Sequence, residues 1–144
     1  MMRVSVEELH PIEGAASRAV ASEECEDRLV LPYDKRQKSR FVAELESGQE
    51  VFVQLPRGTL LRGGTQLAGR GGRRILVVAA PQALSVVVSR DLLLLSRVAY
   101  HLGNRHVPLQ VELGRLVYEH DHVLDDMVHR LGAEVVVEQG PFEP

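Results

Sequence analysis

The feature that most constrains this chain is a change of hydrophobic period at Pro81-Gln82. Upstream, apolar residues fall in short runs of strand length: Arg28–Tyr33, Arg40–Leu45 and Val51–Leu55, rich in Val, Leu and Phe. Ser47-Gly48-Gln49 separates the second run from the third and reads as a hairpin turn, because Gly tolerates positive φ. Thr59–Arg62, Thr65–Leu67 and Arg74–Ala80 continue the pattern, punctuated by Gly63-Gly64 and by Gly69 to Gly72. No stretch before residue 82 sustains a helical period, so this half is expected to be all β.

Downstream the pattern alternates. Ala83–Ser89 reads as a strand, and Asp91–Leu102 then places Leu92, Leu95, Ala99 and Leu102 at helical spacing. Ser89 or Asp91 can cap that helix and Gly103 can end it. Val107–Leu113 and Leu116–Tyr118 read as strands around a tight turn at Gly114-Arg115. A second helix, Asp121–Leu131, carries Leu124, Met127, Val128 and Leu131 on one stripe and stops at Gly132. Ala133–Glu138 closes as a strand, and the last residues, Glu138 to Pro144, read as a frayed end. The order β-α-β-β-α-β is the split βαβ arrangement of a ferredoxin-like domain. The predicted fold class is therefore α+β, with an all-β domain over 1–82 and a ferredoxin-like domain over 83–144.

Composition narrows the function classes. Net charge is −3, aromatic residues make up 4% and Trp is absent, which argues against a nucleic-acid surface built on basic patches and stacking. The C-terminal strands offer only Tyr118 and Phe142 for a ferredoxin-like sheet that would read RNA. The single cysteine, Cys25, suits a reducing compartment. No N-terminal apolar stretch reads as a signal peptide, and runs such as Ile75–Pro81 are too short to span a membrane. A cytoplasmic protein without membrane association is expected. No nucleophile–base pair, HExxH or CxxC is present, so no catalytic residue is assigned and an enzyme is not expected. Gly69–Arg74 lacks the Gly-Lys-Ser/Thr arrangement that cradles phosphate and reads as a flexible hairpin loop. The basic run Asp34–Arg40 reads as a solvated turn, with a docking surface as the alternative.

Histidines carry the chemistry. Five of the six fall within 29 residues: His101, His106, His120, His122 and His129. Neutral imidazole is a common ligand for nickel, copper and zinc. His122, Asp126 and His129 share one helix face, roughly 200° from Leu124 at ~100° per residue, and so point to solvent. Asp121 sits where a helix cap belongs rather than a ligand. His106 follows Gly103-Asn104-Arg105, where the chain turns into a strand. It either bonds its own loop or acts as a metal ligand. As a ligand it is one group per chain, and a symmetric dimer presents it twice across its axis. Such a site is shared and open, which suits a carrier that releases its cargo.

These residues resemble a known family. HLGNRHVPLQ at 101–110 and YEHDHVLDDMVHRLG at 118–132 resemble the urease accessory proteins called UreE, the nickel metallochaperones. LPYDKRQKSR at 31–40 and SGQEVFVQLPRGTLLRGG at 47–64 extend the resemblance along most of the chain. It implies a homodimer with a β-rich partner-binding domain and a ferredoxin-like domain for metal binding and dimerisation. It implies that His106 from both subunits forms the main Ni²⁺ site, that His120 and His122 form peripheral sites, and that nickel passes to the urease apoprotein complex with its accessory GTPase. The ligands completing the His106 pair stay open among His101, His120, His122 and water. Many members end in a histidine-rich tail, whereas no histidine follows His129 here, so a minimal carrier is expected. Cu²⁺ should bind such a site more tightly than Ni²⁺, and Zn²⁺ comparably.

Overall fold

The structure is a computed structural model that describes residues 6–12 and 25–144. Half of the N-terminal segment read for signal-peptide character, residues 1–14, therefore lies outside the described residues. The chain forms two compact units, Met1–Ala80 and Pro81–Pro144. The division falls two residues before the expected boundary at 82, because Pro81 already opens the first strand of the second unit. Proline is tolerated there, since a strand's first residue can forgo its N–H.

The first unit contains strands β1 (Glu7–Pro11), β2 (Asp27–Leu31), β3 (Arg40–Glu44), β4 (Glu50–Gln54), β5 (Gln66–Ala68) and β6 (Arg74–Ala79). A one-turn helix α1 (Tyr33–Arg36) follows β2, and a 3₁₀ turn at Arg70–Gly72 joins β5 to β6. Alternation places Leu29 and Leu31, Phe41, and Val51 with Val53 in one apolar cluster with Leu9, Leu61, Leu67, Ile75 and Val77. The strands form one sheet in the order β2-β6-β5-β1-β4-β3. β1 runs parallel to β4 and β2 parallel to β6, with antiparallel pairs elsewhere. The β3–β4 hairpin turns at Ser47–Gln49, where Gly48 has φ 94°.

Two expectations for this unit need correction, and one strand, β1, was not expected. Thr59–Arg62 is not a strand; Leu61 is instead buried and donates its N–H to the carbonyl of Arg36. β1 was concealed by its glutamates, because Glu7 points inward and is buried rather than solvated. The basic run is only partly a solvated turn. Asp34, Lys35, Gln37 and Lys38 are exposed, but Arg36 is fully buried. Its Nε donates to the Leu31 carbonyl and its Nη1 to that of Leu61, both at 3.1 Å. Backbone carbonyls thus offset the cost of burying the guanidinium.

The second unit contains β7 (Pro81–Val88), α2 (Leu92–Asn104), β8 (Gln110–Glu112), β9 (Arg115–Glu119), α3 (His122–Arg130) and β10 (Val136–Pro141). Its antiparallel sheet has the order β10-β7-β9-β8, in which the fourth strand lies beside the first and the third beside the second. That is the ferredoxin-like βαββαβ arrangement, and the chain is α+β. Leu95, Val98 and Leu102 of α2 and Val128 of α3 form one buried cluster with Val87, Leu116 and Tyr118 of the sheet. Asp91 caps α2 by accepting from the Leu94 N–H at 3.1 Å.

The C-terminus departs from the sequence reading. Ala133 packs into the core before the strand begins, β10 runs to Pro141, and Phe142 is fully buried. The segment read as frayed is held by pairing with β7 from Val136↔Val86 to Pro141↔Pro81. No helix among the described residues is long and apolar enough to cross a membrane.

Candidate metal-binding groove

His106 owes its position to the way α2 ends. The helix continues through Gly103 and Asn104, so Gly103 does not terminate it and residues 103–105 are not a separate loop. Arg105 is the C-cap, and His106 takes the next position with φ 59°. Its N–H donates to the Gly103 carbonyl at 2.9 Å, and the Val107 N–H donates to that of Leu102 at 3.2 Å. This double bond pattern is a Schellman closure, whose left-handed residue is usually glycine. Val107 packs against the cluster that contains Leu102, which completes the motif's apolar contact. An L-residue held there is strained by about 1–3 kcal/mol. The closure leaves the His106 side chain exposed.

His120 arrives from the other side. It ends the sheet at the junction of β9 and α3, where its N–H donates to the Ala83 carbonyl at 3.0 Å. Asp121 then caps α3, accepting from the N–H groups of Val123 at 2.8 Å and Leu124 at 3.2 Å. An open groove of about 380 Å³ lies between these elements, lined by His106, Val107, Pro108, Glu119, His120, Asp121 and Leu124. Two imidazoles and two carboxylates therefore border one surface depression.

The other histidines stand apart from the groove lining. His122 is the first residue of α3 and is exposed, as are Asp126 and His129 on the same face. His101 is exposed on α2, edge-to-face with Tyr100 at 5.5 Å between ring centroids. His10 belongs to the first unit and pairs with Glu8 at 3.4 Å. Among the described residues, no three His, Cys, Asp or Glu side chains come together to hold a metal ion.

Behind the groove lies a polar cluster that the sequence reading did not find. Asp125 is buried on the core-facing side of α3. Its Oδ1 accepts from the hydroxyls of Ser85 and Tyr118, both at 2.6 Å, and its Oδ2 lies 3.1 Å from His120 Nδ1. Ser85 and Tyr118 are themselves fully buried. Burial, followed by the bond to Asp125, pushes the Tyr118 phenol well above its ordinary value, so it stays a donor. One signal was legible: Asp125 lies three residues before Val128, about 60° from it around the helix, inside the apolar stripe.

The glycine-rich segment of the first unit is not slack. Glu7 pins it, with Oε1 accepting from the Arg70 N–H at 2.9 Å and Oε2 from Arg73 Nη1 at 2.8 Å.

Residues 7–80 match the N-terminal domain of the UreE urease accessory protein, and residues 82–144 match its C-terminal domain. The urease accessory protein UreE of Alkalilimnicola ehrlichii is 56% identical over 116 residues, covering 81% of this chain and 71% of its own. That of Alcanivorax borkumensis is 55% identical over 121 residues, covering 81% and 69%. That of Enterobacter sp. is 52% identical over 117 residues, covering 81% and 77%. With both domains matched in order and more than half of the aligned residues shared, this chain belongs to the UreE family of urease accessory proteins, which are accessory factors and not enzymes.

Proposed function

We propose that this chain is a cytoplasmic nickel-binding metallochaperone, acting as a homodimer that delivers Ni²⁺ to the urease activation complex during urease maturation. The observation that carries this reading is the exposed groove bordered by His106 and His120. Both are imidazoles, which suit a borderline cation, and the open surface leaves a bound ion accessible to an acceptor. The names of the relatives support the urease context.

One chain offers too few converging ligands for tight binding. A two-fold dimer duplicates His106 at its axis, and an isologous contact needs no further residue type to double the ligand count. His106 of each subunit is then the main ligand. His120, on the same groove, is the nearest candidate to complete the shell, while His122 and His101 serve weaker peripheral binding. An incompletely enclosed site loses its ion readily, which is what handing cargo to the accessory GTPase and the urease apoprotein requires. Because the donor set is imidazole, Zn²⁺ and Cu²⁺ compete for it, and the acceptor rather than the carrier sets selectivity.

Nickel titration of the purified protein by calorimetry, with sedimentation to read its oligomeric state, tests the proposal. The expected result is a dimer whose tightest site disappears in His106→Gly while the dimer persists. Unchanged affinity in that variant overturns the assignment of His106, and absence of nickel binding by the wild type overturns the function. Repeating the titration near pH 5 should weaken binding sharply, since imidazole coordinates only when neutral.

A further inference from the structure

Of the groups outside the groove lining, Asp125 is the one whose surroundings require an explanation. A buried carboxylate in an apolar helix stripe costs stability unless it is fully paired, and here both oxygens are engaged. Oδ1 takes two hydroxyl donors, Ser85 and Tyr118. An ionised carboxylate only accepts, so the remaining oxygen needs a donor, and the group facing it is Nδ1 of His120 at 3.1 Å. The Ser85 oxygen, having given its proton to Asp125, also accepts at 3.1 Å from the same nitrogen. Nδ1 therefore carries the proton, and the lone pair of a neutral ring is confined to Nε2. The His120 side chain remains 36% exposed and lines the groove with His106, so one ring edge is tied to the core while the ring stays accessible.

We infer that Asp125 is the positioning residue of this groove: through Ser85 and Tyr118 it is locked in the core, and through His120 Nδ1 it sets the tautomer that leaves Nε2 free to ligate a divalent cation. A carboxylate behind a ligating histidine orients the ring and fixes its tautomer. The ligand role of His120 rests on the nickel-carrier reading above; the tautomer does not.

The test is ¹⁵N NMR of the histidine rings in metal-free protein at about pH 8.5, where imidazole is neutral. In the wild type, His120 is expected as the Nδ1–H tautomer with an unprotonated Nε2. A protonated Nε2, as the other tautomer or as imidazolium, overturns the inference. Asp125→Asn keeps an oxygen for the two hydroxyls and turns an amide N–H toward Nδ1, so the proton should move to Nε2. Its nickel affinity at any site using His120 should fall by about 10- to 100-fold. An unchanged tautomer in Asp125→Asn refutes the positioning role. Tyr118→Phe is the structural control: it removes a bond to Oδ1 and not to Oδ2, so it should lower stability and keep the tautomer. If Tyr118→Phe also shifts the proton, general loosening explains the effect and the inference fails. Should Asp125→Asn not fold, the wild type and Tyr118→Phe still decide. A wild type with the expected tautomer but no nickel binding would reject the carrier reading alone.

Discussion

His106 closes helix α2 in the left-handed conformation, with its N–H 2.9 Å from the carbonyl oxygen of Gly103. A glycine there would make the same bond to Gly103, and let Val107 bond Leu102, without a Cβ penalty. Histidine at this position sacrifices backbone comfort and gains an imidazole at the mouth of the groove. That trade suggests how to separate binding from folding.

Replacing His106 by Gly should leave the protein at least as stable as the wild type in urea unfolding. His106→Ala should be less stable than His106→Gly by about 1 kcal/mol, because alanine keeps the left-handed penalty. Both should lose the tightest nickel site. An alanine variant more stable than the glycine one would contradict the backbone account.

Glu7 should make the first unit acid-sensitive. Burial pushes its carboxyl up, but the Arg70 N–H, Gln49 and Arg73 outweigh that and hold it below the ordinary 4.5. Asp27 behaves alike: burial raises it, and Ser47, the N–H of Arg28 and Arg73 bring it below 3.8. A depressed folded-state value stabilises the protein above the ordinary carboxylate range, and that stability is lost as pH falls through the lowered value. Urea midpoints should therefore drop below about pH 4. Glu7→Gln should be less stable than the wild type by about 1–3 kcal/mol at neutral pH and converge with it in acid. Parallel curves would refute the assignment.

Phe142 should behave as a core residue despite its place near the end of the sequence. Its side chain is fully buried beside a strand paired along its whole length. Phe142→Ala is expected to cost about 3–5 kcal/mol in chemical denaturation. A loss under about 0.5 kcal/mol, typical of a surface change, would mean that the end is frayed after all.

Arg36 should be sensitive where its neighbours are not. Arg36→Met deprives the Leu31 and Leu61 carbonyls of their guanidinium donors and should cost about 2–3 kcal/mol. Lys35→Ala and Lys38→Ala, at exposed positions, should stay within about 0.5 kcal/mol. Thermal unfolding of the three variants checks the contrast. If only the lysine variants weakened pull-down of urease and its accessory proteins, the exposed part of the run would be the docking surface.

Local period was enough for most elements. Val51 and Val53 alternate, Leu95, Val98 and Leu102 recur at helical spacing, and each pattern reports which side of an element meets the core. Where charge interrupted the period, the reading failed. β1 went unseen because Glu7 occupies an inward position that Arg70, Arg73 and Gln49, distant in sequence, make tolerable. Arg36 was taken as solvated because its acceptors are carbonyls brought to it by the fold.

The candidate site divides along the same line. The residue types, the order of elements and the histidine-bearing strings at 101–110 and 118–132 were determined by sequence alone, since composition and period are local properties. Only the tertiary structure decided that His106 stands at a left-handed helix end, that it shares a groove with His120 rather than with His101 or His122, and that Asp125 faces inward. Those facts depend on which chain segments meet. A carboxylate five residues after a histidine carries no sign of the buried serine and tyrosine, 40 and 7 positions away, that hold it in place.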